Sequence, residues 1–81
     1  GVRPGVPLEK QSARDCLWIR KTFLNSDADH GAMVVHGHSI SDQPEIRHNR
    51  IGIDTGAYRS GVLTCLVLAG TTRDFLQTPG P

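Results

Sequence analysis

No apolar run in this 81-residue chain is long enough to cross a membrane. The longest, Val62 to Ala69, falls far short of the roughly 20 residues that a spanning helix needs, and no signal-peptide pattern is present. Blocks of like charge are missing too. Basic and acidic residues are interspersed, and the formal net charge is only +1. That balance gives no support to a nucleic-acid or membrane-surface footprint, and the cytoplasm is the default expectation. Cysteine is scarce. Cys16 and Cys65 are the two present, in apolar surroundings and without a spacing that supports a disulfide. Both are expected to be buried reduced thiols. There are no internal repeats and no low-complexity tracts. No Ser or Cys sits in a nucleophile elbow, and no paired carboxylates stand out for glycoside chemistry. The opening Gly1-Val2-Arg3-Pro4-Gly5 matches neither phosphate-loop pattern in order or spacing.

What is there fits one small domain. A domain this short leaves much apolar surface uncovered unless a partner or a larger parent chain covers it. The chain opens on Gly1 rather than methionine, so a processed product or a fragment is expected. Residues 1–10 read as a loop punctuated by Pro4, Gly5 and Pro7. Ser12 then opens a helix that is expected to run to about Asn25, with Ser12 and Asp15 forming a capping box in which Asp replaces the usual Glu. Stepping ~100° per residue, Ala13, Cys16, Leu17, Ile19, Phe23 and Leu24 share one arc. Arg20 falls in the middle of that arc, where a guanidinium must snorkel, pair with a carboxylate, or point into a polar cavity. Trp18 lies on the polar side and is expected to contact something outside the helix.

Beyond a turn at residues 26–31, short strands are expected at Ala32–His36 and Arg50–Asp54, separated by a polar loop containing Pro44. A turn over residues 56–61 leads to Val62–Leu68, apolar on both faces and therefore expected to be sandwiched. Thr71–Leu76 reads as an edge strand and Thr78–Pro81 as a tail.

His36 and His38 follow directly on a buried strand, where a rigid element can aim a ligand while the adjoining loop stays open to substrate. In extended backbone i and i+2 face the same way, so the pair could chelate one metal ion. On spacing alone, two nearby histidines are more often surface or core residues than ligands. Asp54, at a strand end before Thr55-Gly56, reads foremost as a turn cap that satisfies backbone N–H groups. His30 and His48 lie in polar stretches and are expected to be solvated.

His36-Gly37-His38-Ser39 is followed, after a proline-containing loop, by Asn49-Arg50-Ile51-Gly52-Ile53-Asp54-Thr55-Gly56-Ala57. In this order the two steps resemble the serine/threonine phosphoprotein phosphatases, a branch of the calcineurin-like metallophosphoesterases, and especially the bacterial and phage members. The opening Gly1-Val2-Arg3-Pro4-Gly5 looks like the continuation of the family's His-Ala-Gly or His-Gly-Gly motif. Leu17-Trp18-Ile19-Arg20 looks like the segment that carries a phosphate-binding arginine. The matches span nearly the whole chain.

The resemblance implies an α/β fold: one helix followed by mainly antiparallel strands, the C-terminal half of the family's two-sheet sandwich, with residues 1–81 as a single partial catalytic domain. It implies that His38 ligates one metal of a dinuclear site and that Arg20 holds substrate phosphoryl oxygens. Asp54 would be structural beside the site, and His36 structural or a support for the ligand. The parent enzyme would use two divalent metal ions, manganese or iron with manganese or zinc, to activate a hydroxide. Its substrates would be phosphorylated proteins or dinucleoside polyphosphates. Ser39 and Ile40 depart from the usual Thr and Pro, and Gly52 replaces a larger residue. Ile40 also stands where the wider superfamily's Gly-His-x-His pattern has its second histidine, which favours the phosphoprotein phosphatase branch. The family's Asp-x-His, Gly-Asp-x-x-Asp-Arg-Gly and Gly-Asn-His-Glu motifs do not occur in the chain. An N-terminal half of the catalytic domain is therefore an expected partner, and the 81 residues alone are expected to be inactive. Two other readings stand beside this one: a non-catalytic α/β interaction module, and a lone metal site on His36 and His38.

Overall fold

A computed structural model of the chain describes residues 1–80; Pro81, the end of the expected tail, lies outside the described residues. A 3-10 turn at Leu8–Lys10 precedes α1 (Ala13–Trp18) and α2 (Lys21–Leu24). There follow β1 (Val34–His36), β2 (Glu45–Ile46), β3 (Arg50–Gly52), α3 (Ala57–Ser60), β4 (Thr64–Ala69) and β5 (Thr72–Gln77). This is a small α/β domain with two separate sheets.

The expected single helix is two short ones. Ser12 begins α1 as anticipated, its hydroxyl accepting the Asp15 N–H at 3.1 Å. The Asp15 carboxylate does not reach back to complete the box; it accepts two hydrogen bonds from the Arg3 guanidinium, at 2.8 and 2.9 Å. Ile19 then turns extended (φ −62°, ψ 137°) and Arg20 adopts φ −127°, ψ −97° before α2 begins. The break separates Phe23 from the rest of its arc. Phe23 is 1% exposed, whereas Leu17 and Trp18 stay outside. Helix propensity differs among these residues by only a few tenths of a kcal/mol, so burying one ring is enough to override it.

The first sheet has strand order β1-β3-β2. β1 pairs with β3 in parallel, Val35 opposite Ile51 and His36 opposite Gly52. β2 runs antiparallel to β3, with Glu45 opposite Gly52. This sheet is thus mixed, with β1–β3 as the one parallel pairing among the described strands, and the loop expected over residues 38–47 contains an edge strand. All three residues of the central β3 are buried.

The second sheet is the β4–β5 hairpin, which closes through Gly70 and Thr71 with Gly70 at φ 59°. A positive φ in a two-residue hairpin loop suits glycine. The expected sandwiching of β4 does not occur: Thr64 is buried and Leu66 half-buried, but Val67 and Leu68 are exposed. Leu66 meets Phe75 across the ladder, and on the other face Cys65 and Val67 are exposed. A hydroxyl pair ties the hairpin to the segment that follows β3, with Thr55 Oγ1 2.8 Å from Thr64 Oγ1; within the hairpin, Gln77 Nε2 donates to the same Thr64 oxygen at 2.9 Å.

The apolar core is small. Among the described residues, Val2, Phe23 and Ile51 are the buried hydrophobic ones, against five buried polar ones: His36, Asn49, Arg50, Thr55 and Thr64. The radius of gyration is 13.3 Å, above the roughly 12 Å expected of a compact chain this long, so the molecule is flat and open. Cys16 and Cys65 are free, as expected, but both are exposed rather than buried. His30 is half-buried against the Phe23 ring, at 5.6 Å between centroids, rather than solvated. His48 is exposed as anticipated. No helix among the described residues is long and apolar enough to cross a membrane.

Candidate functional site

The site lies where β1 and β3 end side by side. Their parallel pairing brings the His36-Gly37-His38 step next to Asp54, and the Ile53 N–H donates to His36 O at 3.0 Å. β1 ends at His36, and two residues later His38 takes a left-handed backbone, φ 72°, the one non-glycine residue with positive φ among those described. Such a conformation costs an L residue about 1–2 kcal/mol. Strand alternation therefore stops before His38, and the two histidines do not share a face. Their environments differ sharply.

His36 is buried, with its imidazole edge-on to Phe23 at 5.0 Å between centroids. Its Nε2 lies 2.9 Å from Arg50 Nη1 and its Nδ1 3.1 Å from Gly37 O. A guanidinium can only donate, so Nε2 accepts and Nδ1 carries the proton. Burial pushes the His36 pKa down and Arg50 adds to that, against the Gly37 hydrogen bond; the ring is neutral at pH 7. Arg50 is itself 3% exposed and bonds to Glu45 through Nη2, while its Nε has no partner. That hydrogen bond holds the Glu45 carboxyl below its ordinary range. Gly52 makes room for the arrangement. A β-carbon there would lie 3.1 Å from His36 Cε1 and 3.2 Å from Nε2, so the space that a larger residue would take is filled by the His36 ring.

His38 is exposed, its ring meeting Trp18 edge-on at 5.7 Å between centroids. Trp18 thus has the external contact its position on the helix implied. The His38 hydrogen bond seen here is through its backbone: His38 N–H donates to Asp54 Oδ2 at 3.0 Å. Asp54 Oδ1 accepts from Gly56 N–H, also at 3.0 Å, which is the turn cap expected of it. Arg20 is exposed at the break between α1 and α2, and among the described residues no hydrogen bond links it to His36, His38 or Asp54. It avoids the problem of an apolar arc because that arc is not buried there.

Tested as metal ligands, the two histidines part ways. Both nitrogens of His36 are engaged, and a cation adjoins one of them, so His36 does not fit a metal and the shared His36–His38 site fails. His38 fits as a single donor. No group of three or more His, Cys, Asp or Glu side chains that could hold an ion occurs among the described residues. The residues missed from sequence are Arg50 and Glu45. One signal pointed to them: a glycine inside a strand often marks a close approach by another group, and Gly52 stands opposite His36.

Compared with protein-family models, curated proteins and solved structures, the chain matches none of them.

Proposed function

We propose that this chain is the C-terminal portion of a calcineurin-like metallophosphoesterase domain of the phosphoprotein phosphatase branch, a cytoplasmic enzyme that hydrolyses phosphate esters. One observation carries the reading. The Gly37-His38 step and the Ile53-Asp54-Thr55-Gly56-Ala57 step, which lie apart in sequence, meet in space, joined by the His38 N–H to Asp54 hydrogen bond. The site so formed presents an exposed imidazole at a strand exit.

In this reading His38 would give one ring nitrogen to one of two divalent ions: manganese, or iron with manganese or zinc. The remaining ligands belong to an N-terminal half of the domain. When bound, the ions supply an activated hydroxide and charge stabilisation at phosphorus. Arg20, exposed and two residues from the Trp18 that touches His38, offers a guanidinium suited to bidentate contact with phosphoryl oxygens. His36 takes no part in metal binding; it anchors β1 through Arg50. The substrate is a phosphoserine or phosphothreonine protein or a dinucleoside polyphosphate. The 81 residues alone are inactive, because they carry a single candidate ligand.

The test is to express the chain with its upstream coding sequence and change His38→Ala. The expected result is loss of about one metal ion per molecule and of most turnover of a chromogenic phosphomonoester. Unchanged metal content would sink the assignment. The exposed apolar residues Leu17, Trp18, Leu68 and Leu76 suit the second reading equally well, a non-catalytic interaction module. An upstream sequence lacking the Asp-x-His, Gly-Asp-x-x-Asp-Arg-Gly and Gly-Asn-His-Glu motifs would favour that module.

A further inference from the structure

A turn cap needs one carboxylate oxygen, and Asp54 uses two. Its Oδ1 accepts from Gly56 N–H, which completes the cap, and its Oδ2 reaches across to His38 N–H, each at 3.0 Å. We infer that Asp54 is a positioning residue, whose carboxylate holds His38 in its left-handed conformation and so sets the direction of the imidazole. This rests on the reading of His38 as a metal ligand and specifies what aims that ligand.

The two amides that Asp54 holds belong to the two left-handed positions of the site, His38 at φ 72° and Gly56 at φ 69°. Glycine adopts that region without cost. Histidine does so only when its surroundings over-determine it. Those surroundings are two loops fastened together. Ser41 N–H donates to Asp54 O at 3.0 Å. Ile40 closes over Gly56 so tightly that a β-carbon on Gly56 would come within 3.0 Å of Ile40 Cγ2. Within this junction the Asp54 carboxylate is the side chain that bonds the His38 amide itself. With φ of His38 fixed, the Cα–Cβ bond is fixed, and the Trp18 edge, 5.7 Å away between centroids, bounds where the ring can turn. Asp54 therefore acts on the ligand through the backbone, without touching a metal.

The experiment compares Asp54→Ala and Asp54→Asn in the 81-residue chain by NMR. It reads the three-bond amide–Hα coupling and the amide exchange of His38. In Asp54→Ala, His38 should leave the left-handed region and its amide should lose protection, while β1 and β3 amides keep theirs. Asparagine retains one acceptor oxygen, so Asp54→Asn should fall between, and it serves alone if the alanine variant does not fold. An unchanged His38 coupling and exchange in a folded variant overturns the inference. In the polypeptide that includes the upstream sequence, Asp54→Ala should weaken Mn2+ binding about 10–100-fold, as loss of a ligand's support typically does. Wild-type affinity in that variant also overturns it. A wild-type protein that binds no Mn2+ while Asp54→Ala still releases the His38 backbone sinks the phosphoesterase reading and leaves the clamp standing.

Discussion

Around β3 most of what is buried is polar, while in the β4–β5 hairpin the apolar side chains other than Leu66 and Phe75 are exposed. The first region packs Phe23 and Ile51, each 1% exposed, against a histidine and an arginine hydrogen-bonded between strands and an asparagine bonded to a separate loop. Asn49 Nδ2 alone donates to Ser26 O and Ala28 O, at 2.7 and 3.0 Å. The hairpin has a regular six-pair ladder yet leaves Leu68 and Leu76 more than 60% exposed. Two-stranded hairpins are marginal by themselves. The contrast shows that ladder regularity and burial are separate quantities: the shorter, irregular strands of this chain have the more enclosed surroundings.

Three measurements can break or sharpen this contrast. The largest effect is expected from Phe23→Ala, which opens a cavity beneath His36 and Arg50 and should cost about 3–5 kcal/mol in urea unfolding. That is a large share of the roughly 4–12 kcal/mol typical for this length. A loss no greater than that of a hairpin substitution would erase the distinction between the regions. A smaller effect is expected from acid. The folded pKa of His36 lies below its ordinary 6.5 and that of Glu45 below 4.5. For both groups the unfolded chain binds protons more readily. The stability His36 contributes is therefore present above pH 6.5 and lost as pH falls through its folded value, and Glu45 adds a second loss below pH 4.5. Amides of β1 and β3 should lose exchange protection from pH 7.5 to 5.5 before those of the hairpin do; equal or greater protection at pH 5.5 would contradict the buried neutral imidazole. The smallest effect is expected from Leu68→Ser, within about 0.5 kcal/mol because the side chain is already in water. A cost above 2 kcal/mol would mean that the hairpin face is covered in solution.

Features set by neighbours in the chain were legible in the sequence. Ser12 caps α1, Asp29 Oδ1 takes the Gly31 N–H at 2.8 Å in the expected turn, Asp54 caps the turn at Gly56, and β1, β3, β4 and β5, though not β2, fall close to their anticipated places. What was not legible depends on partners distant in sequence. The helix break follows from where Phe23 must go, and periodicity alone draws a continuous arc. The His36–Arg50–Glu45 contact requires knowing that β1 and β3 run parallel. Val62–Leu68 reads as an inner strand on its composition, but burial needs a covering layer, which these residues do not provide. The candidate site divides in the same way. The cap made by Asp54 was visible locally, whereas its hold on His38, 16 positions away, was not.

The parallel pairing of β1 and β3 also bears on the order of events in folding. The hairpin closes through two residues and can form within microseconds, but it gains little from forming early because most of its apolar side chains stay exposed. His36 and Arg50 are 14 positions apart and meet only after the intervening segment has looped back, so their contact carries a closure entropy that no local turn offsets. The rate of acquiring the native sheet is therefore governed by the slow, non-local step. Lengthening the β2–β3 connection, which lies outside the His38–Ser41 junction, would be felt as a change in folding rate before it was felt as a change in the finished structure.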